Sequence, residues 1–251
     1  MKRLLTNTAI TAMGFLCIST SATAQTDYPK YEFGVNIGLL MYQGDLAVER
    51  IGSARTQKFS LGMHASRILG PSFSLRANLV IGKLKGDDAI YNNPEFRKQR
   101  NFNFTSPVTE LTGQLVWNAT RNNYVEKGFS PYLFAGAGIS FIKVKRDWSN
   151  FNAAYFGDET SSVIMGLAAD SAHSLPRIIP VIPVGGGIKY FLTPNIGVNA
   201  EASYRMATTD YLDGFSQAAD PNKKDNYMGY SIGIVYRTGN KNRLGCPVIR
   251  Y

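Results

Sequence analysis

The chain has 251 residues, with 27 Lys and Arg against 18 Asp and Glu, a net charge of +9, and 44% hydrophobic residues. No stretch approaches the ~18 consecutive apolar residues that a spanning helix needs, so a helical membrane protein is excluded. The length fits one domain, and the basic excess suits anionic lipid headgroups or an acidic partner.

The first residues read as an export signal. Lys2 and Arg3 form a basic start, an apolar core runs from Ala9 to Ile18, and Ala22-Thr23-Ala24 is a small-x-small cleavage site. Residues 1–24 are therefore expected to be removed, leaving Gln25 first and 25 basic residues against 18 acidic. Cys17 lies inside this segment, so Cys246 is the one cysteine expected to remain. An exported chain rarely meets nucleic acid, and none is expected as a partner.

Eight stretches then alternate apolar with small or polar residues, the period of a strand. The first, Glu32–Tyr42, sets Phe33, Val35, Ile37, Leu39 and Met41 against Gly34, Asn36, Gly38 and Leu40. Phe59–Ile68 and Ser72–Lys83 follow, the latter with Arg76 on its polar face. Val108–Asn118 carries Glu110 on that face, and Ser130–Lys143 carries Gly136, Gly138 and Ser140. Val181–Phe191 carries Lys189, Asn195–Arg205 carries Glu201 and Arg205, and Asn226–Arg237 carries Arg237.

Most apolar sets have an aromatic at each end. Phe33, Phe73, Trp117, Tyr190 and Tyr236 fall at one end of the strands, and Phe59, Phe141, Tyr204 and Tyr230 at or near the other. Such girdles mark the two interfaces of a transmembrane barrel. Connections alternate accordingly. Leu69-Gly70-Pro71 and Leu192-Thr193-Pro194 are tight, Ala119–Phe129 is longer, and 43–58, 84–107, 144–180 and 206–225 are long and polar. The pattern predicts an all-β fold: an eight-stranded antiparallel up-and-down transmembrane β-barrel over 25–237. Long loops should lie outside a Gram-negative outer membrane and short turns in the periplasm, with both termini periplasmic. Closure is required, because an unpaired backbone group in lipid costs several kcal/mol. Eight strands leave a lumen that side chains fill, which argues against a porin. Arg76, Glu110, Lys189, Glu201 and Arg205 face inward with opposite signs and are expected to pair across it.

Chemistry-bearing candidates are sparse. Gly136-Ala137-Gly138 and Gly185-Gly186-Gly187 complete no phosphate-binding pattern and read as small residues in a narrow barrel. His64 faces the lumen and His173 lies in the third long loop; two isolated histidines make no metal site. His173-Ser174 could belong to a barrel lipid hydrolase, though no spacing supports it. Asp87-Asp88 and Asp210/Asp213 do not form a calcium loop and read as solvated acids. Arg97, Lys98 and Arg100 read as a solvated charge run that could touch lipopolysaccharide phosphates. No cofactor is expected.

The chain continues past its last strand as a basic segment, 238–251, with Lys241, Arg243 and Arg250 and no acid. By topology this tail is periplasmic. The lone Cys246 points to intermolecular pairing or a reactive thiol, with a buried inert thiol as the alternative.

Several segments, in order, resemble the PorG-type outer-membrane barrels of the type IX secretion system. They are Tyr42-Gln43-Gly44-Asp45, Lys85-Gly86-Asp87-Asp88, Arg100-Asn101-Phe102-Asn103-Phe104, Ser130 through Gly138, Thr209-Asp210-Tyr211-Leu212-Asp213, and Cys246-Pro247. Gly214 departs from the pattern, where a second acid is expected. The resemblance implies a non-enzymatic anchor for a periplasmic ring built from a PorK-type lipoprotein and a PorN-type partner. It would have Lys241, Arg243, Pro247 and Arg250 hold a ring subunit by charge and contact, and Cys246 by an intermolecular disulfide. Arg121, Glu126 and Lys127 in the longer turn are a second candidate contact. The rival is a small barrel whose long loops bind an envelope or surface ligand.

Overall fold

The computed structural model describes residues 29–47, 53–157, 161–219 and 225–239. Eight long strands carry the fold: β1 (Pro29–Gln43), β2 (Lys58–Ile68), β3 (Phe73–Asp87), β4 (Asn103–Trp117), β5 (Gly128–Ile142), β7 (Ile178–Phe191), β8 (Ile196–Ala207) and β9 (Asn226–Gly239). A short β6 (Lys145–Asp147) continues β5 against the far end of β4. Every neighbouring pair is antiparallel, β1 pairs with β9, and β3 pairs with β4, so the sheet closes on itself. The fold is an up-and-down β-barrel with no free edge in its wall.

The two-residue period sets which face is wet. In β1, Glu32 and Asn36 are buried while Phe33, Val35 and Ile37 are about half exposed, and the other strands repeat the pattern. Ile232 and Ile234 are 61% and 64% exposed. A wall of exposed Leu, Ile, Phe and Val around a polar interior inverts a soluble protein, and lipid is the solvent that suits it. Register builds the aromatic girdle at the short-turn end from cross-strand pairs: Phe33 with Tyr236, Phe73 with Trp117, and Phe129 with Tyr190. The last pair has rings 4.7 Å apart.

Inside, glycines make room for rings. Tyr132 and Phe134 face Gly187 and Gly185 across the β5–β7 ladder. A Cβ at Gly187 would lie 2.7 Å from the Tyr132 hydroxyl, and one at Gly185 2.7 Å from the Phe134 ring.

The strands overrun their expected ends. β3 continues to Asp87 and β4 begins at Asn103, so the second long loop is shorter than the sequence suggests. The long connections also hold helices that alternation does not reveal: α1 (Phe96–Arg100), α2 (Ala153–Phe156) and α3 (Ser162–Ala172). With the strand ends they close a second core over the barrel mouth. Tyr42, Leu46, Leu84, Phe102, Phe104, Leu212 and Phe215 are fully buried there.

Candidate functional site: a charged lumen between two closed mouths

Three ionic groups lie along the lumen. Near the short-turn end, Glu32 takes Lys189 in a short ion pair and Arg237 Nε at 3.5 Å, with His64 Nε2 3.9 Å away. Above it, Arg76 Nη1 donates to Glu201 Oε2 at 2.7 Å, and the Tyr132 hydroxyl donates to the same oxygen at 2.9 Å. Towards the long loops, Arg205 Nε and the Tyr227 hydroxyl donate to Glu110 Oε2 at 2.8 and 2.7 Å. Aromatic faces cover the cations: Arg76 lies 5.1 Å from the Tyr132 ring centre and Arg237 3.1 Å from that of Phe191. All five lumen residues singled out in the sequence therefore lie in these clusters. Arg237, already on the polar face of its stretch, joins them, and alternation could have supplied Glu32 too, which shares their parity.

Between the upper groups remains a cavity of about 20 Å³ lined by Asn36, Ser60, Asn78, Glu201, Ser203 and Arg205. It has room for about one water. Such a lumen is a polar core, not a conduit.

The short-turn mouth is closed by the connection 118–128. The Asn118 carboxamide oxygen accepts from Thr120 N, Thr120 Oγ1 and Asn122 N, and its nitrogen donates to Ser130 Oγ. Asn123 Nδ2 donates to the Gly70 carbonyl at 2.9 Å, and Arg237 Nη1 to that of Val125 at 2.8 Å. Arg121, Glu126 and Lys127 are exposed in this turn. Pro29 and Gly239 lie at the same end, adjacent across β1 and β9.

The long-loop mouth is closed by buried acids, against the expectation that these are solvated. Asp88 is fully buried and takes Arg100 Nε at 2.6 Å and Arg97 Nη1 at 2.8 Å. Those arginines are thus engaged within the cap. Asp170 of α3 accepts the backbone N–H groups of Ser216, Gln217 and Ala218. The Tyr42 hydroxyl reaches Asp213 Oδ2 at 2.8 Å and Asp225 Oδ1 at 2.5 Å. Burial holds both carboxyls well above the usual carboxylate range, and nearby Asp45 and Asp210 push the same way. Gly44 must lack a side chain, since a Cβ there would fall 1.9 Å from the Tyr42 hydroxyl. Gly214 has φ +89° and lends its carbonyl to Arg146, which accounts for a glycine after Asp213. Phe102 stacks on Phe215 at 4.3 Å. Tyr42, Gly44, Asp88, Arg100, Phe102 and Asp213, from four of the segments that carry the resemblance, thus meet in this cap.

His173 is exposed, with its ring stacked 4.0 Å from that of Tyr211. No group of three or more His, Cys, Asp or Glu among the described residues could hold a metal. Lys241, Arg243, Cys246, Pro247 and Arg250 lie outside the described residues, as do the signal segment and Cys17.

No curated protein matches the chain. Among solved structures it is similar to Neisserial surface protein A, at 15% identity over 83% of this chain and 97% of that one, with a TM-score of 0.46. The outer membrane protein OprG from Pseudomonas aeruginosa matches at 11% identity over 85% and 99%, TM-score 0.47. Ail, the attachment invasion locus protein of Yersinia pestis, matches at 8% identity over 84% and 99%, TM-score 0.44. A family model described as a domain of unknown function, DUF6089, matches residues 7–241, and the chain belongs to that family.

Proposed function

We propose that this barrel is a non-enzymatic outer-membrane component of the type IX secretion system. It would anchor the periplasmic ring of PorK-type lipoprotein and PorN-type partner. In this reading the short-turn end faces the periplasm and the capped end faces outward, and residues 1–24 are a cleaved signal. One observation carries the reading. The connection after β4 is fastened to β9 through Arg237 and Val125, beside the point where the basic segment 238–251 begins. The fastened turn offers a surface with exposed Arg121, Glu126 and Lys127. A plugged lumen supports an anchor rather than a channel.

The test is partner capture from cross-linked native membranes, comparing the full chain with one ending at Arg237. Recovery of ring proteins by the full chain alone supports anchoring; equal recovery by both sinks the role of the tail. Non-reducing gels with Cys246→Ser test the disulfide separately: a high-mass band lost on reduction and in the variant is the expected result.

A second reading, ligand binding through the long loops, is favoured by Tyr155 and Met165. These are 50% and 59% exposed on the cap helices. Loss of a surface ligand on trimming 153–172, with ring capture intact, would select it. A lipid hydrolase would need a carboxylate to orient His173, and what the structure sets against its ring is Tyr211.

A further inference from the structure

Lysines gather on one side of the outer wall. The β3–β4–β5/β6 ladder keeps one register past the end of β5, so outward residues line up in rows. Ile81, Thr109 and Phe141 form the last apolar row. The next holds Lys83 opposite Pro107, whose carbonyl accepts from the Lys143 N–H. The row beyond is Lys85, Thr105 and Lys145. Lys83, Lys143 and Lys145 are exposed, and Lys85 is bonded to Asp87 at 2.9 Å. Strand spacing puts the columns about 10 Å apart and the rows about 7 Å apart. Four ammonium groups thus border one small area directly above the apolar belt.

The acids nearby stand on the far side. Asp87 and Asp147 occupy the third row, away from the belt. Asp147 is spent on the Ser149 N–H, which holds its carboxyl below the usual range. The outward positions at the same ends of β8 and β9 are Tyr204, Met206, Met228 and Tyr230, without charge. The cations are therefore a one-sided feature, not a uniform collar.

We infer that Lys83, Lys143 and Lys145, with Lys85 beside them, hold the phosphate of a phosphorylated glycolipid, lipopolysaccharide, whose acyl chains lie against β3–β5. Position selects this occupant. Ammonium groups one row above a hydrocarbon-facing row meet a lipid whose phosphates sit at that boundary, and each lysine adds to the attraction. The inference rests on the reading that the capped end faces outward.

The purified barrel in detergent, titrated with bisphosphorylated lipid A and followed by native mass spectrometry, tests the site. The triple variant Lys83→Gln/Lys143→Gln/Lys145→Gln is expected to bind at least about tenfold more weakly. Dephosphorylated lipid A should lose a similar factor on the wild type. Lys30→Gln/Arg55→Gln/Lys98→Gln, which removes three exposed cations elsewhere, should bind like wild type. Heat-dependent gel mobility checks that each variant folds. Undiminished binding by the first variant, or an equal loss in the second, overturns the site. Orientation is read separately by labelling Ala168→Cys, in a Cys246→Ser background, on intact cells with an impermeant maleimide. Labelling together with undiminished lipid A binding by the lysine variant overturns the lysine site alone. Silence at Ala168→Cys overturns the orientation, and the proposal with it.

Discussion

The Tyr42 hydroxyl lies 2.8 Å from a carboxylate oxygen of Asp213, 171 residues away in the chain, and also contacts Asp225. A phenol has one proton to give, so its two short contacts require that one bond run from a protonated carboxyl to the tyrosine oxygen. That agrees with both aspartates being held above the usual carboxylate range by burial. The sign follows directly. The folded cap binds a proton that the unfolded chain has released, so its stability is present at low pH and falls as pH rises through the raised range. The slope reaches about 1.4 kcal/mol per pH unit for one such proton. Asp213→Asn fits the same geometry, because its oxygen can accept from Phe215 N–H and its nitrogen can donate to Tyr42. Protease sensitivity of the loops between pH 5 and 9 should increase with pH in the wild type and less steeply in Asp213→Asn, where buried Asp225 still titrates. Asp213→Ala should be sensitive throughout.

Arg76 and Glu201 make a second predictable pair. Arg76 is 1% exposed, and removing Glu201 would strand its charge. Glu201→Ala should cost about 3–5 kcal/mol in urea unfolding from micelles. Arg76→Leu/Glu201→Leu should cost much less than the sum of its single variants, because no charge is left unmatched. Planar-bilayer recordings of the wild type should lack a porin-like open level, as the filled lumen requires.

The barrel was legible because strand parity is a local property. One-residue alternation fixes whether Arg76 or Leu75 faces lipid without knowledge of any neighbour. Which carboxylate meets Arg76 depends on how eight strands are staggered, and the sequence of β3 contains nothing about β8. Glu32 is not singled out because it is the first residue of the alternating stretch Glu32–Tyr42, where the pattern has barely started. The cap was opaque for a different reason. Asp88, Asp170 and Asp213 look like ordinary loop acids until closure buries them against Arg100, a turn of backbone N–H groups and Tyr42. The helix α3 carries Ser-Val-Ile-Met-Gly-Leu-Ala-Ala-Asp-Ser-Ala, whose apolar run has no charged face to betray its period. Its contact with the fourth long loop depends on Gly166, where a Cβ would lie 2.3 Å from the Gln217 carbonyl.

Gly187 tests the ring-and-glycine arrangement. Gly187→Val would drive a side chain into the Tyr132 ring and push its hydroxyl off Glu201. A loss of about 1–3 kcal/mol is expected from overpacking. Tyr132→Ala should recover only the part of that loss due to the ring, because the Ala200 carbonyl still lies 2.5 Å from the added Cβ, giving a coupling of about 1 kcal/mol in a double-mutant cycle. Strict additivity in the same urea titrations would mean that the two residues do not share space.

Asn118 offers a way to disturb the proposed docking face while leaving the backbone ladders of the barrel wall intact. Its carboxamide accepts three bonds from Thr120 and Asn122 and donates one to Ser130, so Asn118→Ala removes the framework of the turn at a cost of about 1–2 kcal/mol. The barrel keeps its ladders, and heat-dependent gel mobility should be unchanged. If the turn presents the contact, ring capture falls in Asn118→Ala and falls again when Arg121, Glu126 and Lys127 are replaced by Ala in an intact turn. A tail that acts alone predicts the opposite pattern, with full capture in both variants and none in a chain ending at Arg237. The two outcomes differ because the turn is held by side-chain bonds on the barrel, whereas the segment after Gly239 begins only where the β1–β9 ladder ends.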